Sequence, residues 1–259
     1  MSGSSSAQAA SILVPAPGGF WRDFFDSFFR PAERFGRLRS RPQWVASLLI
    51  LAFLSVFITA LHQSVVPYAN QARAKIDQAE KIAGPLSDAE KERRLSQHPG
   101  IASQVSWLGL IAGFTAFTVL VCALAFWGAV VISGRDMHLS TVFSVTAHAM
   151  LPPSVAWTLC ATLVLFIQEV NTIDPVRLDN VVMSNLGVVF NLGGSHPFWQ
   201  SLLGSIDVFS IWTVALMAVG ISACTSKTPL SKSLVITGTV WGIYIVAKGL
   251  FAIWMPAMA

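Results

Sequence analysis

The stretch Ser201–Thr225, SLLGSIDVFSIWTVALMAVGISACT, places one carboxylate at the mouth of an otherwise apolar helix. No charged side chain occurs between Val208 and Cys224, so the centre of this segment belongs in lipid. Asp207 falls at the first turn, where a helix of this kind reaches the interface. There its carboxylate can face the positive helix end and the bare N–H groups, and it reads as a cap-region acid. Ala215, Ala218, Gly220 and Ser222 are small residues at helical spacing, which lets another helix approach the backbone closely. The segment therefore reads as the packing centre of a bundle.

Composition agrees with a membrane solvent. Hydrophobic residues make up 54% of the chain and charged residues 12%, a balance too apolar for a soluble domain of 259 residues. The formal charge of +4 is no argument for a nucleic-acid partner, because the bases fall in short connections beside apolar runs, where positive charge sets membrane orientation. Cys122, Cys160 and Cys224 all lie inside apolar runs and read as small buried hydrophobes, not as a disulfide set or a metal cluster.

Residues 1–18 are Ser, Ala, Gly and Pro with little to bury and read as a disordered tail, not a signal peptide. Residues 19–43 follow as an aromatic and Arg-rich interfacial segment. Trp21, Phe24, Phe25, Phe28 and Phe29 recur at i, i+3, i+4, i+7 and i+8, with Arg22, Asp23, Asp26 and Arg30 on the other face. Such a helix is expected to lie in the headgroup layer with its aromatic side down; the alternative is a helix packed on its own bundle. Pro31 starts a new turn. Arg30, Arg34, Arg37, Arg39 and Arg41 crowd against the next apolar run, where anionic headgroups would attract them by roughly 1 kcal/mol each.

Five spans are expected, at about 44–61, 105–132, 142–167, 207–225 and 234–254. Between the first two, residues 64–104 carry six bases against five acids, with Gly84-Pro85 as a break and Ser87 with Glu90 as a capping box, so a surface helical hairpin is expected. Gly109 with Gly113, and Gly238 with Gly242, are candidate close-packing pairs. Pro152-Pro153 remove two helix donors in the third span, where a kink or break is expected. His148, one turn earlier, is either a hydrogen-bonded contact between helices or part of a polar path. Residues 168–205, with an apolar run from Leu186 to Leu192 too short to cross, suggest an interfacial or re-entrant piece. The Arg-rich N-terminal side, with Arg135, Lys227 and Lys232, points to a cytoplasmic N-terminus and an external C-terminus.

Catalytic chemistry is not expected. The five histidines occur singly, without metal-ligand spacing, and no Gly-x-Ser-x-Gly elbow or phosphate-binding glycine loop is present. Neither a metal nor another cofactor is called for.

The order of RPAERFGRLRSRPQW (Arg30–Trp44), TAHAMLPP (Thr146–Pro153) and SIDVFSIWTVALMAVGISACTSKT (Ser205–Thr228) resembles the bacterial branch of the Yip1 domain family over about residues 30–252. Asp207, Phe209 and Trp212 are its most telling residues. The resemblance implies an all-α polytopic bundle of five membrane spans with a cytoplasmic N-terminus in a bacterial inner membrane. In eukaryotic members it implies association with Rab GTPases and with one another; here topology is carried over and partners are not. Trp212, Ala218 and Ser222 are expected in helix packing, and Asp207, His148, Pro152 and Pro153 are the candidate polar-site residues. The expected function is membrane organisation or trafficking-like scaffolding through lipids and other membrane proteins, as a homo- or hetero-oligomer. The alternative is a small-solute or lipid permease that uses a broken third span.

Overall fold

The computed structural model describes residues 19–97, 100–175, 178–190, 196–225 and 228–254. The expected tail at 1–18, His98, Arg177, the end of the Leu186 run, Lys227 and the closing MPAMA lie outside the described residues.

The N-terminal segment forms two helices, α1 (Phe20–Phe29) and α2 (Pro31–Ser40). Arg30 between them has φ −136° and ψ 53°, as the residue before a proline is kept out of helical geometry, and Pro31 then opens α2 at its first position. Four helices are long and apolar enough to cross a membrane: α3 (Val45–Val65), α6 (Ile101–Ile132), α7 (Leu139–Ile167) and the last helix, which begins at Leu230. Between α3 and α6 stand α4 (Tyr68–Ala83) and α5 (Asp88–Ser96), packed on each other. They turn at Gly84, whose φ of 87° suits a residue without a Cβ, and Lys91 Nζ bridges them to Glu80 Oε1 at 2.8 Å. Ser87 caps α5 by accepting from the Glu90 N–H.

After α7 the chain forms short pieces, α8 (Leu186–Phe190) and α9 (Pro197–Gly204), then α10 (Val208–Cys224) and α11 (Leu230–Trp254). With 17 residues, α10 is about 25 Å long, less than the roughly 30 Å hydrocarbon layer. The bundle is all-α, with no strand among the described residues. α7 holds its centre, touching α3, α6 and α10, while α10 also packs on α11 and α2. The main core gathers Phe35 and Leu38 of α2 with Val130, Val142, Val145, Met217 and Ile221, so α2 belongs to the bundle.

Two packing expectations need correction. A Cβ built on Gly109, Gly113, Gly238 or Gly242 meets nothing within 4 Å, because these residues lie where no neighbouring helix comes close. The close approach is at Gly220, where a Cβ would stand 2.3 Å from Val145 Cγ1 and 3.4 Å from the Phe35 ring. α7 is also not broken. It stays helical from Leu139 to Ile167 through Pro152 and Pro153, since proline's fixed φ is helical and only two donors are lost. Finally, Cys224 is buried and Cys122 half-buried, but Cys160 lies exposed on the outside of α7.

Candidate functional site

α1 and α2 lie against each other and on α7, and four charges and one imidazole meet between them. Arg34 is 4% exposed. Its Nη1 lies 3.3 Å from Asp23 Oδ2, while its Nη2 lies 2.7 Å from His148 Nε2 and 3.3 Å from Gln43 Oε1. Arg37 Nη2 donates to Asp23 Oδ1 at 3.1 Å and to Asp26 Oδ2 at 2.5 Å. Asp23 and Asp26, three residues apart on α1, thus present one face to two arginines three apart on α2, and the charges balance. Burial pulls the Arg34 guanidinium below its ordinary value while Asp23 works in the opposite direction. A guanidinium has ample margin and stays charged.

The partners of His148 fix its tautomer. Its Nδ1 is 2.8 Å from the Ser144 carbonyl, which can only accept, so Nδ1 donates there. Its Nε2 faces a guanidinium, which can only donate, and therefore accepts. His148 is thus a neutral acceptor joining α7 to α2.

Arg34 and Arg37 are accordingly corrected from lipid-facing bases to the paired inner side of a hairpin; Arg39 and Arg41 remain exposed. The aromatic face of α1 also divides. Five aromatics spread over roughly 140° of a helix at 100° per residue, more than one surface can cover. Phe24 and Phe28, at the inner edge, are half-buried, and Phe24 packs against the cluster of Leu51, Ala147 and Leu151. Trp21, Phe25 and Phe29 form the outer ridge, exposed by 69%, 53% and 79%.

The second polar feature surrounds Asp207. Its Oδ1 accepts from the Phe209 and Ser210 N–H groups at 2.7 and 2.8 Å, and the Asp207 N–H donates to Ser210 Oγ at 3.1 Å, a reciprocal capping box. Asp207 also lines a cavity of about 220 Å³ with Ser55, Pro153, Ser154, Thr158 and Thr213 among its walls. Ser55 is the middle residue of α3 and Pro153 the middle residue of α7, so Asp207 lies at mid-span level and not at the interface. The reason is the shortness of α10. Its start is carried inward, and α9 occupies the remaining depth against α11, with Phe198 tight against Gly249.

The remaining candidates are packing residues. Ala218 is fully buried, Trp212 packs against the main core, and Ser222 Oγ donates to the Thr228 carbonyl at 2.9 Å, closing the α10–α11 connection. Pro152 is buried beside Pro153. Among the described residues, no three His, Cys, Asp or Glu side chains come together. The sequence reading missed the pairing of Asp23 and Asp26 with Arg34 and Arg37. The matching i, i+3 spacing of acids and bases on either side of Pro31 was its available signal.

An all-helical bundle with four spanning helices, a fifth apolar helix and a docked N-terminal hairpin defines a polytopic membrane protein. The Yip1 domain model matches residues 25–251, and the chain belongs to that family. No curated protein and no solved structure matches it.

Proposed function

We propose that this Yip1-family chain organises the membrane around it as a scaffold, through lipid contacts of its N-terminal hairpin and protein contacts within the bilayer. The carrying observation is the ridge of Trp21, Phe25 and Phe29, left exposed on a helix that Asp23 and Asp26 tie to α2. A rigid aromatic ridge suits the headgroup layer, where amphipathic rings partition, and Arg39 and Arg41 add attraction for anionic headgroups. A non-enzymatic role fits a family whose members are generally not enzymes. The setting proposed is a bacterial inner membrane with the N-terminus in the cytoplasm and the protein acting as a homo- or hetero-oligomer.

Clustering in vesicles tests it. Labelled copies reconstituted into anionic bilayers should show energy transfer above the random level. Replacing Trp21, Phe25 and Phe29 together by Ser should lower that transfer at an unchanged melting temperature. Random-level transfer in the unaltered protein would defeat the scaffold reading.

A second reading is favoured by the cavity at Asp207. A hollow at mid-span in which Asp207 and several hydroxyls stand among apolar walls, beside a short helix that starts inside the layer, is an arrangement through which membrane proteins pass small solutes. A permease would use this hollow beside an unbroken α7.

A further inference from the structure

At the end of the bundle where α2 docks, a separate cavity of about 390 Å³ opens between the end of α6 and the start of α11. Ser133, Arg135, Thr228, Ser231, Lys232, Val235 and Ile236 line it. The local chain geometry explains why the bases meet there. α6 ends with the Arg135 N–H on the Val130 carbonyl at 3.2 Å and the Gly134 N–H on the Val131 carbonyl at 2.9 Å, around a Gly134 φ of 71°. This closure satisfies the last carbonyls of α6 and throws Arg135 sideways, toward the first turn of α11. Lys232 stands in that first turn, its own N–H on the Pro229 carbonyl at 3.1 Å.

Three observations point to an anion. Neither Arg135 nor Lys232 is in an ion pair with a described residue, and the neighbouring Asp136 engages neither. Thr228 is 5% exposed, yet its Oγ1 has no hydrogen-bond partner, and a buried hydroxyl without a partner is costly. The cavity is also graded: Arg135, Lys232 and the hydroxyls gather about the end of α6 and the start of α11, and Val235 and Ile236 continue down α11, with Val235 and the nearby Ile132 openly exposed.

We propose that this cavity binds the phosphate group of an anionic phospholipid, with Arg135 and Lys232 on the phosphate oxygens, the Thr228 and Ser231 hydroxyls as additional donors, and an acyl chain along Val235 and Ile236. The shared chemistry is a phosphate ester. The apolar continuation of the wall favours a lipid over a free phosphate as its source. The site is separate from the α1–α2 hairpin and stands whether or not the scaffold reading holds.

Native mass spectrometry of the full protein in mixed micelles tests the site, using phosphatidylglycerol, phosphatidylcholine and water-soluble glycerol phosphate as probes. Phosphatidylglycerol should be retained over phosphatidylcholine. Arg135→Gln and Lys232→Gln should each weaken retention about fivefold, from roughly 1 kcal/mol per base at a membrane surface, and more when combined. Arg73→Gln, an exposed base on α4 away from both lipid contacts, should leave retention unchanged. Thr228→Val keeps the side-chain shape; it should weaken lipid retention without lowering the lipid-free melting temperature, which separates binding from folding. If glycerol phosphate displaces the lipid, the phosphate site stands and its ligand is the soluble ester. Equal losses from Arg73→Gln, or full retention in the Arg135→Gln, Lys232→Gln double variant, would overturn the assignment.

Discussion

Arg34 Nη2 lies 2.7 Å from His148 Nε2, so a side chain from the N-terminal hairpin ends on the central helix of the bundle, 114 residues away in sequence. With Nδ1 committed to the Ser144 carbonyl, the imidazole is held as a neutral acceptor for the Arg34 guanidinium, and this bond ties the hairpin to α7 while the ion pairs tie α1 to α2. This contact makes α2 part of the fold. It also leaves the outer ridge of α1 free to face elsewhere.

Removing the acceptor separates hydrogen bonding from packing. His148→Gln retains an oxygen that can reach Arg34, whereas His148→Leu keeps volume and leaves a buried guanidinium short of a partner. The Leu variant should lose about 1 to 3 kcal/mol, and the Gln variant clearly less. Thermal unfolding in one detergent compares them; equal losses would mean that the Arg34 contact contributes nothing beyond filling space.

The ion network should be sensitive to single substitutions. Arg34→Gln leaves Asp23 short of one of its two arginines in a mostly enclosed site, a loss on the order of 3 kcal/mol. Arg39→Gln on the exposed side should stay within about 0.5 kcal/mol. A double variant, Asp23→Asn with Arg34→Gln, should be less destabilised than the sum of its parts. Strict additivity, read from melting temperatures, would show that the two groups do not interact.

Gly220 gives the sharpest packing forecast. Gly220→Ala drives its Cβ into Val145 Cγ1 and should cost about 1 to 3 kcal/mol, and Val145→Ala in the same chain should restore most of that loss. If Gly220→Ala alone leaves stability unchanged, α7 and α10 are not held as closely as described.

These contrasts show how far the sequence could be read. Of the five expected spans, the four long apolar helices were legible because long apolar runs with few charges have one stable home, and the cap role of Asp207 followed from its place before a shorter such run. Depth was not legible: the same acid sits at mid-span because α10 is short and α9 fills the remaining layer, a matter of packing. Pro152 and Pro153 suggested a break, yet packed neighbours keep α7 helical around the missing donors. The small-residue stripes at Gly109 and Gly238 looked like that at Gly220, and only the arrangement of helices tells which one meets a neighbour. The α1–α2 pairing escaped because a helical-wheel reading treats acids and bases as one solvated face, whereas the turn at Arg30 folds that face onto itself.

Topology has a direct check. The N-terminus-inside arrangement puts the α4–α5 pair on the side opposite α2. A cysteine introduced at Asp88 should react with an impermeant reagent in intact cells, and one at Ser40 only after the cells are opened. The reverse pattern would invert the orientation, and labelling of both in intact cells would remove one crossing from the count.

Asp207 decides between scaffold and solute path. Asp207→Ala removes an oxygen that accepts two backbone N–H groups and should lower stability by about 0.5 to 2 kcal/mol as a lost helix cap. Asp207→Asn keeps an acceptor of the same shape and should lower it by less. If the cavity is only a packing defect beside a cap, both variants should change melting temperature alone, and a bulky Ser154→Leu should at worst add strain. If solutes pass there, Asp207→Asn should alter flux at normal folded yield, because the charge is lost while the cap remains, and Ser154→Leu should block it by filling the hollow. Uptake by proteoliposomes, normalised to folded protein, distinguishes the two. The scaffold reading expects no flux above empty vesicles in any of these proteins, and flux that disappears in Asp207→Asn without loss of fold would replace it with the permease.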